Sequence, residues 1–514
     1  MAYRKIPQSC DLVPPEDIVV RFTGRVKRAV LEAAGDLGDA LIAAIGASLP
    51  VTASEFQALE QRVAKAVRQA VAAPVMRAVL QALHDDQRFV WACIDKARAL
   101  RGLRPDRSSS VPVRLLCGEV AEVYTPYSLQ PRAKRPGPKR PPGRHGIGGF
   151  GCFPVLAQVG IADRATPALR SEVAWATAAL GSLAEAQASL ARRGIELHVN
   201  VMRLISQRVA DAGIADREAE AEPAKPSPLA GKSVIVAIDG GRIRLRRNKP
   251  GRPRKSGWHG YETPWREPKL MAVYTVGEDG RKDGEFLFYE GTLEPYDGAF
   301  VLFVRCLRRL GIGEARQVVF AADGSDHVWN RVPGAVNALG LDPDRVRTFV
   351  DFWHAVQHLH DASKLVGLTP YEASLRARAW RKLLKAGRAE VIANELGAAA
   401  AVASGEEAQK QLTNAAAYFR GNAERMRYPD LRAAGLPRGT GAVESAVRRV
   451  VNLRLKSTGT FWDEENAERM LLLRCRLKAG RWDDLEAAMH RHAFGLRGNA
   501  LKHKRAQART STPP

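Results

Sequence analysis

Apolar residues in the first hundred positions recur at three- and four-residue spacing. The pattern runs through VKRAVLEAAGDLGDALIAAI and again FQALEQRVAKAVRQAV, and predicts packed amphipathic helices across 17–103. Residues 112–128, VPVRLLCGEVAEVYTPY, switch to the alternation of strands. Helical spacing returns over 167–213. There, SLAEAQASLARRGIELHVNVMRLISQRV reads as a helix, a turn at Arg193-Gly194 and a second helix. The pattern is that of a helix-turn-helix, whose second helix would present Asn200, Arg203 and Gln207 to a DNA major groove. The same spacing also suits a plain helical hairpin.

From residue 232 the period changes again. VIVAI, KLMAVYTV, EFLFYEGTL, QVVFAADG and RTFVDFWH read as five strands, the last running into Asp351 and His354. Helices are predicted over PYDGAFVLFVRCLRRLG, between the third and fourth strands, and over HVWNRVPGAVNALG, between the fourth and fifth. The order β-β-β-α-β-α-β is that of a ribonuclease-H-like fold, an α/β class in which the first and fourth strands lie side by side. Residues 355–429 are Ala-rich and helical, with no strand signal, and read as an insertion. The expected organisation is a helical segment over 1–110, a small β region with a basic loop over 111–165 and a helix-turn-helix-like region over 166–216. A polar linker follows at 217–231, then the first part of the core at 232–354 and the helical insertion at 355–429. Residues 430–490 close the core with helices, and 491–514 form a basic tail.

Charge narrows the partners. The 514-residue chain carries a formal net charge of +24, which favours polyanions, nucleic acid before anionic membrane. No apolar run approaches the roughly 18 residues of a spanning helix, and the N-terminus lacks the apolar core of a signal peptide, so a cytoplasmic location is expected. Basic residues cluster in two Pro- and Gly-rich stretches, PRAKRPGPKRPPGRHG and GRIRLRRNKPGRPRKSG. Such loops neutralise phosphates without reading sequence. The second starts directly after Asp239 and offers Arg242, Arg244, Arg246, Arg252, Arg254 and Lys255. Its PGRPRK core also resembles an AT-hook. The six cysteines lie far apart and form no CxxC pair. Cys117 and Cys152 alone do not close a tetrahedral zinc site.

Three carboxylates carry the candidate chemistry. Asp239 in VIVAIDGGR and Asp323 in QVVFAADGS each close an apolar run and precede a glycine; Glu444 opens the helical stretch GTGAVESAVRR. Hard divalent ions take oxygen ligands, and two Mg²⁺ ions about 4 Å apart can activate a water or 3′-hydroxyl and stabilise a leaving oxygen. On spacing alone, the two Asp-Gly pairs are equally well explained as turns. Asp351-Phe352-Trp353-His354 adds a D-x-x-H pattern after the fifth strand.

Together with WREPKL (265–270), LPRGTGAVESAVRRVVNLRLKSTGTFW (436–462) and AERMLLLRCRLKAGRWD (467–483), these motifs resemble the DDE transposases of bacterial insertion sequences, on the branch related to Mutator-like elements. The likeness covers most of 165–485 and is most specific over Gly439–Trp462. It implies transposition of the element's own DNA with Mg²⁺, or Mn²⁺ in its place, held by Asp239, Asp323 and Glu444, with Asp239 bridging. It gives Asp351 and His354 a supporting place in the active site. It also implies double-stranded DNA as partner, as terminal inverted repeats and target, and a homo-oligomer on that DNA. Arg448, Arg449, Arg454 and Lys456 would extend a basic edge past Glu444, with Arg448 pairing to Glu444 when metal is absent or reaching a phosphate when DNA is bound. Two other readings stay open: a ribonuclease-H-like nuclease or resolvase, and a catalytically silent DNA-binding protein.

Overall fold

The computed structural model describes residues 16–45, 53–130, 151–219, 223–249, 251, 260–366, 369–457 and 459–494. The chain forms two compact units, one of residues 1–213 with 483–514, the other of residues 214–482.

In the first unit, helices span Glu16–Ile45, Ala53–Val67, Ala73–Asp85 and Gln87–Arg101. The last has clear stops: Asp86 accepts from the Phe89 N–H at its start, and Gly102 ends it in the left-handed region at φ 65°. The first strand begins earlier than the alternation indicated. Arg104–Arg114 pairs antiparallel with Val120–Leu129, and the helices end at Arg101, close to the 103 the spacing predicted. Residues 104–108 are exposed on both faces, which leaves no alternation to read. Val111, Val113, Ala121 and Val123 face inward and pack with Leu80 and Leu156. Three further helices follow at Pro167–Ala179, Leu183–Arg192 and Val199–Glu218. Ser182 caps the second by accepting from the Glu185 N–H, and Gly194, at φ 79°, allows the turn before the third.

The second unit is built on a five-stranded mixed sheet. Its strands are β1 (Ser233–Gly240), β2 (Lys269–Val276), β3 (Lys282–Thr292), β4 (Gln317–Ala322) and β5 (Val346–Val350). Their order across the sheet is β3-β2-β1-β4-β5. β1 runs parallel to β4, β4 parallel to β5, and β2 antiparallel to both β1 and β3. β1 and β2 are central and covered on both faces, which is why VIVAI and LMAVYTV are apolar throughout rather than alternating. Helix α1 (Tyr296–Arg309) buries Phe300, Phe303, Cys306 and Leu307 along one stripe. The helix predicted over 327–340 is two pieces, Asp326–Trp329 and Val332–Leu339. Pro333 starts the second and has no N–H to continue the first.

The fifth strand also stops sooner than its sequence suggested. β5 ends at Val350, and Asp351 is the N-cap of helix α2 (Phe352–Ser363). The insertion follows as α3 (Pro370–Lys385), α4 (Ala389–Ala401) and α5 (Glu406–Gly421). The chain then returns through the short helix α6 (Gly441–Ala446), a π-helical turn over Val447–Asn452, and α7 (Glu464–Lys478).

The described part of the expected linker is not a solvated tether. Ala224 N–H donates to Arg309 O at 2.9 Å, Ser227 Oγ to Leu310 O at 3.0 Å, and Gly231 N–H to Glu314 O at 3.0 Å. Its polar composition serves bonds to the end of α1 instead. Arg217, at the start of the same stretch, lies in a buried ionic network. It donates to Glu290 of β3 and to Glu468 of α7, and Arg476 of α7 closes on Glu290 at 2.8 Å. Each charge is paired, as burial demands, and the network fixes α7 against the sheet. Among the described residues, no helix is long and apolar enough to cross a membrane.

Candidate active site

The ends of β1 and β4 bring the first two acids to one edge of the sheet. The strands are parallel neighbours, pairing Ala237 with Ala321, so the residues just beyond emerge side by side. Asp239 is half-buried at the end of β1, and its Oδ1 accepts from the Gly240 N–H at 2.7 Å. Asp323 follows β4, half-buried, and its Oδ1 accepts from the Ser325 N–H at 3.0 Å. Glu444 projects from α6 with 46% of its side chain exposed, and its Oε1 lies 3.5 Å from His354 Nε2. Burial pushes the Asp239 carboxyl up to about 6; Asp323 and Glu444 push the same way, against the Gly240 N–H and His354. All three acids and His354 therefore share one electrostatic neighbourhood.

Asp351 does different work. It is 0% exposed, and both its oxygens are engaged. Oδ1 accepts from the N–H groups of Trp353 at 2.7 Å and His354 at 3.0 Å. Oδ2 accepts from the Thr440 N–H and, at 2.7 Å, from Thr440 Oγ1. Thr440 immediately precedes α6. One carboxylate thus caps the helix that carries His354 and holds the start of the helix that carries Glu444. Asp351 N–H donates to Ala322 O at 2.9 Å, and Phe352 N–H to Arg438 O at 3.0 Å, which secures the junction to β4.

Ligand atoms of Asp351, His354 and Glu444 lie within 4.8 Å of one another, the one such set of three among the described residues. Its chemistry argues against Asp351 as a ligand. A carboxylate has about four lone-pair sites, and here four donors already use them. Asp239, Asp323 and Glu444 have oxygens left over, and their mutual repulsion is what a bound cation would relieve. The residues fit a hard divalent ion on that ground. They do not form an equally tight set in this structure.

The insertion reaches the site directly. Tyr418 Oη of α5 donates to Asp323 O at 3.0 Å, and Asn422 Nδ2 to Gly324 O at 3.3 Å. Gly324 has φ +96°, and a Cβ there would meet the Tyr418 ring at 2.6 Å, so the position demands glycine. His358 stacks on the same Tyr418 ring at 4.1 Å. Trp353 stands 49% exposed beside His354, with the Arg381 guanidinium of α3 5.0 Å over its ring.

The basic residues divide. Arg242, Arg244, Arg246, Arg448 and Lys456 are exposed. Glu444 pairs with His354, not with Arg448; the wide π-helical turn begins between them and breaks the ordinary one-turn relation. Arg449 is half-buried and donates to Tyr289 Oη at 2.9 Å. Arg454 is buried, its guanidinium 5.2 Å over Trp462, whose Nε1–H donates to Leu455 O at 3.0 Å. Arg454 is therefore packed inside rather than on a basic edge, and half-buried Arg449 has part of its guanidinium engaged by Tyr289. In the first unit, Asn200 and Arg203 are exposed and Gln207 half-exposed, opposite buried Met202, Ile205 and Val209. Arg252, Arg254 and Lys255 of the AT-hook-like core lie outside the described residues, as does the basic loop over 131–146. Burial raises the Cys152 thiol to about 11.

Sequence reasoning missed Thr440, Tyr418 and Asn422. Thr440 had a signal, a hydroxyl residue directly before a helix start in GTGAVES. Tyr418 and Asn422 had none, because their role depends on how the insertion folds back. No family model and no curated protein matches this chain.

Proposed function

We propose that the chain is a DNA transposase of the DDE type, cutting and joining phosphodiester bonds at the ends of its own insertion sequence. In this reading the five-stranded sheet is a ribonuclease-H-like core. The order β3-β2-β1-β4-β5, with β2 antiparallel to its neighbours, supports that finer assignment. One observation carries the function: Asp239 and Asp323 leave the ends of adjacent parallel strands and Glu444 reaches the same place beside His354, from three distant parts of the chain. A strongly basic chain that gathers acids with free oxygens is suited to a polyanionic substrate through bound cations.

Asp239, Asp323 and Glu444 would hold two Mg²⁺ ions, or Mn²⁺ in their place. Such ions activate the attacking water or 3′-hydroxyl and stabilise the leaving oxygen. His354 orients Glu444. Asp351 and Thr440 are positioning residues that keep His354 and Glu444 in register. Tyr418 and Asn422 fix the backbone that follows Asp323. Arg448 and Lys456 supply exposed charge for phosphates, and the helix over 199–218 is the candidate reader of the terminal repeats. Assembly as a homo-oligomer on paired DNA ends, in the cytoplasm, belongs to the same proposal.

The clamp on the Asp323 loop favours this reading over a simple nuclease, which needs no such insertion. The deciding experiment uses a labelled 3′-OH donor end taken from the DNA flanking the gene. Asp239→Asn, Asp323→Asn and Glu444→Gln should each abolish joining to target DNA while end binding persists. Full joining by any one of the three overturns the assignment.

A further inference from the structure

Three large aromatic side chains stand exposed together just beyond Asp239. Tyr261, Trp265 and Phe461 keep 47%, 52% and 37% of their surface in solvent. The backbone explains why. Residues 242–246 alternate, with Ile243 and Leu245 buried and Arg242, Arg244 and Arg246 outward. Ile243–Arg244 pairs antiparallel with Trp265–Arg266, and Arg247–Asn248 with Tyr261–Glu262. On the other edge, Arg246 N–H donates to Trp462 O at 2.7 Å and Trp462 N–H to Arg244 O at 3.0 Å. This ribbon is therefore held on both sides.

The register builds a row of rings and guanidinium groups. Trp265 sits directly opposite Arg244, whose guanidinium lies 4.8 Å over its ring. The Arg246 guanidinium lies 4.4 Å over Tyr261, and Phe461 is 6.4 Å from Tyr261. Packing needs alone do not produce this, because Ile243 and Leu245 already fill the inner side. The outer side gathers flat apolar faces and positive charge. Unpaired nucleotides use both, stacking bases on rings and neutralising phosphates with arginine. A duplex hides its base faces in its own stack and can use only the charge.

We propose that this face binds single-stranded DNA, with bases stacked on Trp265, Tyr261 and Phe461 and phosphates held by Arg242, Arg244 and Arg246. Arg244 is five residues beyond Asp239, hence within about 18 Å of it by chain reach. A strand held here continues towards the acids within a few nucleotides. That continuation rests on the proposed function; the binding itself does not.

The test is fluorescence anisotropy of a labelled oligothymidine and of a duplex of equal length, on the full chain in EDTA at fixed salt. Trp265→Ala and Tyr261→Ala should each weaken oligothymidine binding about tenfold. Duplex affinity, which depends on charge, should change less than about twofold. Trp265→Phe keeps a ring and should retain most of the affinity. Trp265→Leu keeps only apolar bulk and should behave like the alanine variant, which separates stacking from folding. Equal losses on single strand and duplex, or no loss on either, overturn the proposal. Because EDTA suppresses metal-dependent cleavage, failure of the joining assay leaves this result standing, and the reverse also holds.

Discussion

Replacing Asp239 by Asn should stabilise the metal-free chain. The carboxyl rises from an ordinary 3.8 to about 6 in the folded protein, through burial first and then through Asp323 and Glu444. A raised carboxyl pKa means that the folded state prefers the protonated form. Stability is therefore highest at acid pH, falls as pH rises from about 4 to about 6, and stays low above that. The shift is about two units, and each unit is worth about 1.4 kcal/mol, so the ionised carboxylate costs about 3 kcal/mol at pH 7.5. Asn keeps the shape and removes the charge. Urea or thermal unfolding in EDTA should show Asp239→Asn more stable by about 3 kcal/mol at pH 7.5, roughly 6–12 °C in Tm for a unit of this size. At pH 5 the advantage should shrink to about half. Added Mg²⁺ or Mn²⁺ should close the gap by stabilising the wild type and not the variant. If the two proteins unfold together in EDTA at pH 7.5, or the difference ignores pH, the acids do not share a repulsive site and the cation-binding argument fails.

Two further substitutions probe the supports of the site. Thr440→Ala removes one of the donors to buried Asp351 and should cost about 1.5–3 kcal/mol, with strand joining reduced and Thr440→Ser restoring both, read by urea unfolding and the joining assay. Gly324→Ala puts a Cβ 2.6 Å from the Tyr418 ring at φ +96°, and should cost more than about 1 kcal/mol and impair joining more than end binding.

The five strands of the sheet were legible because each is a short apolar run bounded by Gly, Asp or Arg. The central ones are buried on both faces, so their composition alone marks them. Arg104–Arg114 was harder to see because its first half is solvated on both sides and carries no period. Asp351 shows the limit at the site. Its sequence places it near His354, but only the fold reveals that its partner is Thr440, 89 residues away. The basic residues show it again. Arg448, Arg449 and Arg454 look alike in sequence, yet one is exposed, one bonds Tyr289 and one is buried against Trp462. Which side of a helix faces the core is set here by a π-helical turn, and a 3.6-residue period cannot anticipate it.

The division of labour between Asp351 and the other acids follows from where their charge can go. Asp351 is held by four donors, so its charge is already compensated inside the protein. Asp239, Asp323 and Glu444 accept few bonds and Asp239 is pushed up by the other two, so their charge is only partly compensated inside the protein. Two of the three sit at the ends of adjacent parallel strands, but the third arrives on a six-residue helix, too short to place itself. Glu444 depends on the Thr440–Asp351 bracket for its position. Asp323 depends on Tyr418 and Asn422 in the same way. The insertion and the D-x-x-H motif are thus two halves of one device, each anchoring an acid that the sheet alone leaves loose. Loosening either half should disturb chemistry as well as stability, while the buried ionic network of Arg217, Glu290, Glu468 and Arg476 contacts neither half.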